Sequence, residues 1–425
     1  MADYQISQLK NGMRVASASM KERNSVAIGI WTHVGGRHET ERLSGVSHFL
    51  EHIVFKGTKK RTSNQIKESI EGVGGSMNAF TSEEYTCFLA KVSHKHFENV
   101  FDVLSDMVLN ASIAPADVEK ERTVIMEEIK MTQDQPSQLV DELLSEIIWP
   151  GHSLGRPLAG TLETVGGLSV SDIAGYRDEY YRPNLITVVA AGNVHHEELV
   201  RVSEARFSRR SAAPEKAHGL FKPHQQKPAV KLFSKKTEQT HLSLAVHAFP
   251  KDHPDEYALD LLSVILGGNM SSRLFNEVRE ERGLAYDVGS YVRRYQETGA
   301  FVVSAGVDNK KPREAIEVIL KELDKISIEP VSGDELRRAK DFYLGQLYLS
   351  LENSMNQMLW VGESLVTLNK NRTAEEVMVL VEKITPDDVR RVAREIFRTN
   401  LLNLAMVGPE QSEKEFRALL GFSNT

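Results

Sequence analysis

At 425 residues the chain is too long for one ordinary hydrophobic core, so two or three domains are expected. A content of 41% hydrophobic and 26% charged residues reads as a soluble globular protein, and the net charge of -7 argues against nucleic acid, which calls for a basic face. No run reaches the roughly eighteen apolar residues of a membrane span, and the first residues show no secretory pattern, so no membrane partner is expected.

Residues 26–34 have the alternation of a strand. Val46, Leu50, Ile53 and Val54 then recur at helical spacing, with Gly57 as a stop. On that helix His48 and His52 are four apart, one above the other on one face, where a single tetrahedral Zn2+ can take both imidazoles. Glu51 flanks the same place and can reach a metal-bound water without being a ligand. His48-Phe49-Leu50-Glu51-His52 is thus the His-x-x-Glu-His order of the inverzincins. The same three residues could also form a solvated polar stripe, and the motif weighs toward the metal.

Residues 64–70 read as a short helix, and Gly72, Gly74 and Gly75 as a tight turn. The apolar run at 86–90 holds the single cysteine, Cys87, which reads as a buried structural thiol. One cysteine cannot form an internal disulfide, which suits a reducing compartment and makes a cytoplasmic location the expectation. A helix follows from residue 97. Another begins after Pro115, with Asp117 as cap and Val118, Ile125 and Ile129 on its apolar face. Glu121 and Glu128 stand two turns apart on it, and by themselves both read as ordinary surface acids.

The chain is then repeated. Leu168 to Gly192 reads as capped helix, turn and strand closing on glycine, and the stretch ending at Gly408 repeats it; Gly192 and Gly408 are 216 apart, as are Asp172 and Asp388. The same register pairs residues 85–92 with 300–307, each followed by a helix. This predicts an α+β fold of two homologous domains, each a mostly antiparallel sheet packed with helices, at 1–210 and 229–425 with a linker at 211–228. Adding 216 to His48, Glu51 and His52 leads to Val264, Gly267 and Gly268, so the metal motif is not duplicated.

His48-Phe49-Leu50-Glu51-His52 followed by Phe55-Lys56-Gly57-Thr58 closely resembles the pitrilysin/insulinase family of zinc peptidases, in its mitochondrial-processing-peptidase-like branch of half-size bacterial chains. The likeness spans essentially the whole chain. It implies that the third ligand is Glu128, 76 residues past His52 in the setting Val124-Ile125-x-x-Glu128-Ile129, and that Glu121 supports the site as the family's other acid. Two imidazoles and one carboxylate leave one Zn2+ per chain with positive charge, which lowers the pKa of bound water; Glu51 is expected to serve as general base and then to protonate the leaving amine. The likeness further implies that Asn78 and Ala79 pair with substrate backbone by β-addition, that Phe55 and Phe80 line the pocket beside the cleaved bond, and that Arg279 and Tyr286 hold the substrate. It implies a homodimer whose closed chamber admits unfolded peptides. Family members that bind a substrate arginine carry two acids beyond the third ligand, where this chain has Gln138 and Glu142, so a strict arginine preference does not carry over. A catalytically silent core or assembly subunit is the alternative, and a metal-storing module a third reading; retention of all four motif residues speaks against both.

Overall fold

The computed structural model describes residues 3–208, 211–212, 219–409 and 412–422. Part of the linker expected at 211–228, residues 213–218, lies outside the described residues. The fold is α+β, and the chain divides into two compact units.

The first unit is built on six strands: β1 (Asp3–Gln8), β2 (Arg14–Ser19), β3 (Ser25–Thr32), β4 (Ser76–Thr81), β5 (Thr86–Ser93) and β6 (Ile186–Gly192). Their order is β1-β2-β6-β3-β5-β4, with β2 and β6 parallel and every other pair antiparallel. All seven residues of β6 are buried, as befits a strand with neighbours on both edges and side chains packed on both faces. β4 is an edge strand.

The second unit holds β7 (Ala229–Ser234), β8 (Gln239–Ala248), β9 (Ala285–Arg294), β10 (Gly299–Asp308) and β11 (Asn403–Gly408), in the order β7-β11-β8-β10-β9. Its one parallel pair, β7 with β11, answers to β2 with β6. The internal repeat read from the sequence is therefore a repeat of topology, with β1 as the strand that has no counterpart among the described residues.

The units are not the two halves of the chain. The first comprises Met1–Ile129, Arg156–His218 and Tyr348–Arg372, and the second Lys130–Gly155, Gly219–Leu347 and Thr373–Thr425. Each expected half thus gives one stretch to the other unit. In the first unit, the helix Ser354–Leu368 lays Met358, Val361 and Leu365 on a sheet face lined by Ala16, Ala18, Ala27 and Ala191. In the second, the helix Pro136–Ile148 lays Leu139, Val140, Leu143 and Leu144 on a face carrying Ala245, Ala300 and Ala405. Small side chains on these faces let a helix approach closely, and the apolar area each helix buries there holds it. The approach is tightest at Gly362, where a Cβ would stand 2.2 Å from the Trp31 ring.

The opposite face of the first sheet carries the main core. There Ile28, Ile30, Phe88, Val188 and Ala190 pack against three helices: α1 (Val46–Val54), α2 (Ser63–Glu71) and α3 (Phe97–Asn110). A fourth helix, α4 (Pro115–Asp134), contributes the apolar face expected of it, Val118, Ile125 and Ile129, together with buried Glu121. No helix among the described residues is long and apolar enough to cross a membrane.

Candidate active site

α1 buries Val46, Phe49, Leu50, Ile53 and Val54, which leaves His48, Glu51 and His52 on its partly open side. Its N-terminus is built with care. Gly45 takes φ +93° and has no room for a side chain, since a Cβ would lie 2.5 Å from the Ala159 carbonyl oxygen. No side chain at the cap position serves the first amides. Glu39 does so instead: its carboxylate accepts from the Gly45 amide at 2.7 Å and the Ser47 amide at 2.8 Å. The Ser47 hydroxyl also meets the Tyr176 hydroxyl at 2.9 Å. The first turn of the helix, where His48 sits, is thereby tied down. Burial pushes the Glu39 carboxyl up to about 7 although both amides favour its charged form.

The two imidazoles lie 4.7 Å apart between ring centres. Glu128 on α4 brings its Oε2 to 3.5 Å from His52 Nε2 and 3.9 Å from His48 Nε2. One donor atom from each of the three lies within 4.8 Å of the others. This is the donor set that suits zinc, two imidazole nitrogens and one carboxylate oxygen. Burial, reinforced by neighbouring His52, lowers the His48 pKa to about 4, so this ring is neutral at physiological pH with a lone pair to give. His52 Nδ1 meets Glu121 Oε2 at 3.2 Å, and the other oxygen of Glu121 meets Lys56 Nζ at 2.6 Å. A carboxylate on Nδ1 orients the ring so that Nε2 faces Glu128. The residues present therefore fit a zinc ion.

Glu51 lies beside this group. Burial raises its carboxyl above the ordinary value, opposed by a 2.6 Å hydrogen bond from the Thr81 hydroxyl to Oε2. Asn78 and Ala79 stand on edge strand β4, with Asn78 exposed and Ala79 in the core that α1 covers. Phe55, the C-terminal cap of α1, packs against that same core. Phe80 does not join it. Strand alternation turns its ring to the other sheet face, against Trp31 at 5.8 Å and Tyr85 at 6.2 Å, so Phe55 and Phe80, expected to line one pocket, pack on opposite faces of the sheet.

In the second unit Arg279 and Tyr286 do meet. The guanidinium donates to the Tyr286 carbonyl at 2.8 Å and lies over its ring at 5.0 Å, and Tyr286 is 74% exposed. Gln138 and Glu142 share the helix Pro136–Ile148; Glu142 is half-buried, and burial raises its pKa. Cys87 is fully buried and its thiol is pushed up by burial, as a structural thiol should be. Sequence reasoning missed Glu39, Lys56 and Thr81. Thr81 and Lys56 act through contacts distant in sequence, and Glu39 through backbone amides six and eight residues ahead; only Lys56, one turn past His52, left a local trace.

Residues 14–162 match the family described as Insulinase (Peptidase family M16), and residues 167–343 match the Peptidase M16 inactive domain. An uncharacterized zinc protease of Bacillus subtilis is 37% identical over 402 residues, covering 94% of this chain and 97% of that one. Another from Streptomyces coelicolor is 36% identical over 415 residues, covering 96% and 90%. Among solved structures, a protease from Helicobacter pylori superposes with a TM-score of 0.91 at 23% identity, covering 96% of this chain and all of that one. The M16 inactive domain from Pseudomonas fluorescens gives 0.89 at 16% identity, with 96% and 98% covered, and these two likenesses bear on the fold. The chain belongs to the insulinase family of zinc peptidases, M16. Its metal motif falls in the stretch matched to the peptidase, while Val264, Gly267 and Gly268 fall in the stretch matched to the inactive domain.

Proposed function

We propose that this chain is a zinc metalloendopeptidase that cleaves unfolded peptides, with the metal held by His48, His52 and Glu128. The observation that carries the reading is the convergence of three donor atoms beside a carboxylate that is not needed as a ligand. Zinc bound there would supply a Lewis acid for the scissile carbonyl and activate water. Glu51 is the general base: it takes a proton from the attacking water and returns it to the leaving amine. Glu121 holds His52 in register, and Lys56 balances the charge of Glu121.

Substrate in extended form would add to the edge of β4 at Asn78 and Ala79, taking over the Ala79 amide that donates at 2.9 Å to the Asn78 side-chain oxygen. Phe55 lies at the end of α1 to meet a substrate side chain. Arg279 and Tyr286, in contact with each other in the second unit, are the residues that the family likeness proposes for holding substrate. The family likeness supports a homodimer that encloses a chamber and so selects unfolded peptides by size. The alternative of a silent assembly subunit is met by the same experiment: zinc content, and cleavage of an unstructured peptide with and without chelator, for the wild type and Glu51→Gln. One zinc per chain in both proteins, with chelator-sensitive cleavage by the wild type alone, is expected. Zinc-loaded wild type without cleavage makes the chain a silent subunit, and cleavage by Glu51→Gln removes Glu51 as base.

A further inference from the structure

The Glu51 carboxylate meets a residue that lies outside the metal motif. Thr81 is the last residue of β4, and its hydroxyl donates to Glu51 Oε2 at 2.6 Å. We infer that Thr81 is a positioning residue for the proposed peptidase reaction: its hydroxyl engages the Glu51 carboxylate and fixes the rotamer in which the base meets the water. This rests on the reading of Glu51 as general base.

The donor is held where rotation of the strand end cannot take it away. β4 pairs with β5 through Thr81 opposite Thr86. The chain then turns through Ser82, whose hydroxyl accepts from the Tyr85 amide at 3.1 Å and donates to the Tyr85 carbonyl at 3.0 Å. The turn is anchored in addition by Gly36, whose amide donates to the Ser82 carbonyl at 3.1 Å. Alternation along β4 places Thr81 with Ala79 on the face that α1 covers, and Phe80 on the other. The hydroxyl is thus aimed from a strand, while the acid it meets is on a helix packed against that strand. A carboxylate on a three-bond side chain has several staggered positions available. A short bond to a fixed donor selects one of them, and the selection persists whether or not substrate is present.

The hydroxyl has a single proton, and it is spent on Oε2. Because Thr81 also belongs to the edge strand proposed to receive substrate, the base and the peptide are registered to one strand, the base through Thr81 and the peptide through Asn78 and Ala79.

The test compares Thr81→Val, which keeps shape and β-branching but removes the donor, with Thr81→Ser, which restores the donor without the methyl. Both are measured on an internally quenched unstructured peptide, beside the wild type and Glu51→Gln. Zinc affinity of each is measured separately by competition against a chromophoric chelator. Expected for Thr81→Val is a kcat lower by roughly 10- to 100-fold, the effect of losing a hydrogen bond to a charged group, with KM within about twofold and zinc affinity unchanged. Thr81→Ser should recover to within roughly threefold of the wild type. A wild-type kcat in Thr81→Val overturns the inference. So does a loss that tracks zinc release, or one that Thr81→Ser fails to repair, since either would make Thr81 a strut of the fold. If the wild type does not cleave, or Glu51→Gln does, the peptidase reading falls and this inference with it; an inactive Glu51→Gln beside an unimpaired Thr81→Val removes the inference alone.

Discussion

Glu39 offers the sharpest test of how the metal helix is held. Its carboxyl is buried, caps the α1 amides of Gly45 and Ser47, and is pushed from an ordinary 4.5 up to about 7. Between those values the unfolded chain carries the carboxylate while the folded chain holds the acid. The folded state therefore binds the extra proton, and the stability this group contributes is complete below about 4.5 and lost as pH rises through about 7. A separation of roughly 2.5 pH units at 1.36 kcal/mol each makes the loss about 3 kcal/mol. Glu39→Gln keeps an acceptor for the helix and does not titrate, so it should lack this pH dependence. In urea unfolding, the stability of Glu39→Gln relative to the wild type should thus rise by about 2.5 kcal/mol, most of that loss, between about pH 5 and about pH 8. Chelator in every sample removes metal linkage. A Trp149→Phe background leaves Trp31 and Trp360, both in the first unit, as the reporters. A gap between the two proteins that stays constant to within about 0.5 kcal/mol across that range, or moves the other way, would refute the assignment of Glu39 as a buried cap that titrates near neutrality.

Three further outcomes are expected. Gly362→Ala drives a Cβ to 2.2 Å from the Trp31 ring, so it should destabilise the first unit by about 1–3 kcal/mol or more, read as a lower midpoint in thermal unfolding; an unchanged midpoint would show that the helix Ser354–Leu368 is not seated there. Glu121→Gln should weaken zinc binding by roughly 10- to 100-fold in chelator competition, because His52 Nδ1 loses its carboxylate partner; unaltered affinity would deny Glu121 its orienting part. Zinc added to chelator-stripped protein should raise the midpoint, by about 2.7 kcal/mol of stability at a hundredfold excess over Kd, and His52→Ala should abolish the rise. A rise that survives in that variant would place the metal elsewhere.

Much of the site was legible because it is local. His48, Glu51 and His52 share one helix, and a period of 3.6 residues stacks positions four apart whatever the rest of the chain does. Glu128 is marked only by family spacing, since its own surroundings read as any charged helix, and the structure joins it to the histidines through packing of α4 against the α1 core. Thr81, Glu39 and Phe80 are different cases. The hydroxyl of Thr81 acquires its role from the acid that lies across from it, Glu39 reaches six residues ahead to cap a helix that has no cap of its own, and the pleat of β4 alone turns Phe80 away from Phe55.

The sequence by itself determined the duplication, the sheet-and-helix composition of each repeat and the single metal motif, since all three are written in short-range periodicity and in a register of 216 residues. Only the tertiary structure decided which segments complete each unit. The helices Pro136–Ile148 and Ser354–Leu368 each have an apolar side that would fit either repeat on pattern alone. What assigns them is the alanine-lined outer face of one sheet or the other, close enough for a helix only where the facing side chains are small, and no periodicity along the chain encodes that fit.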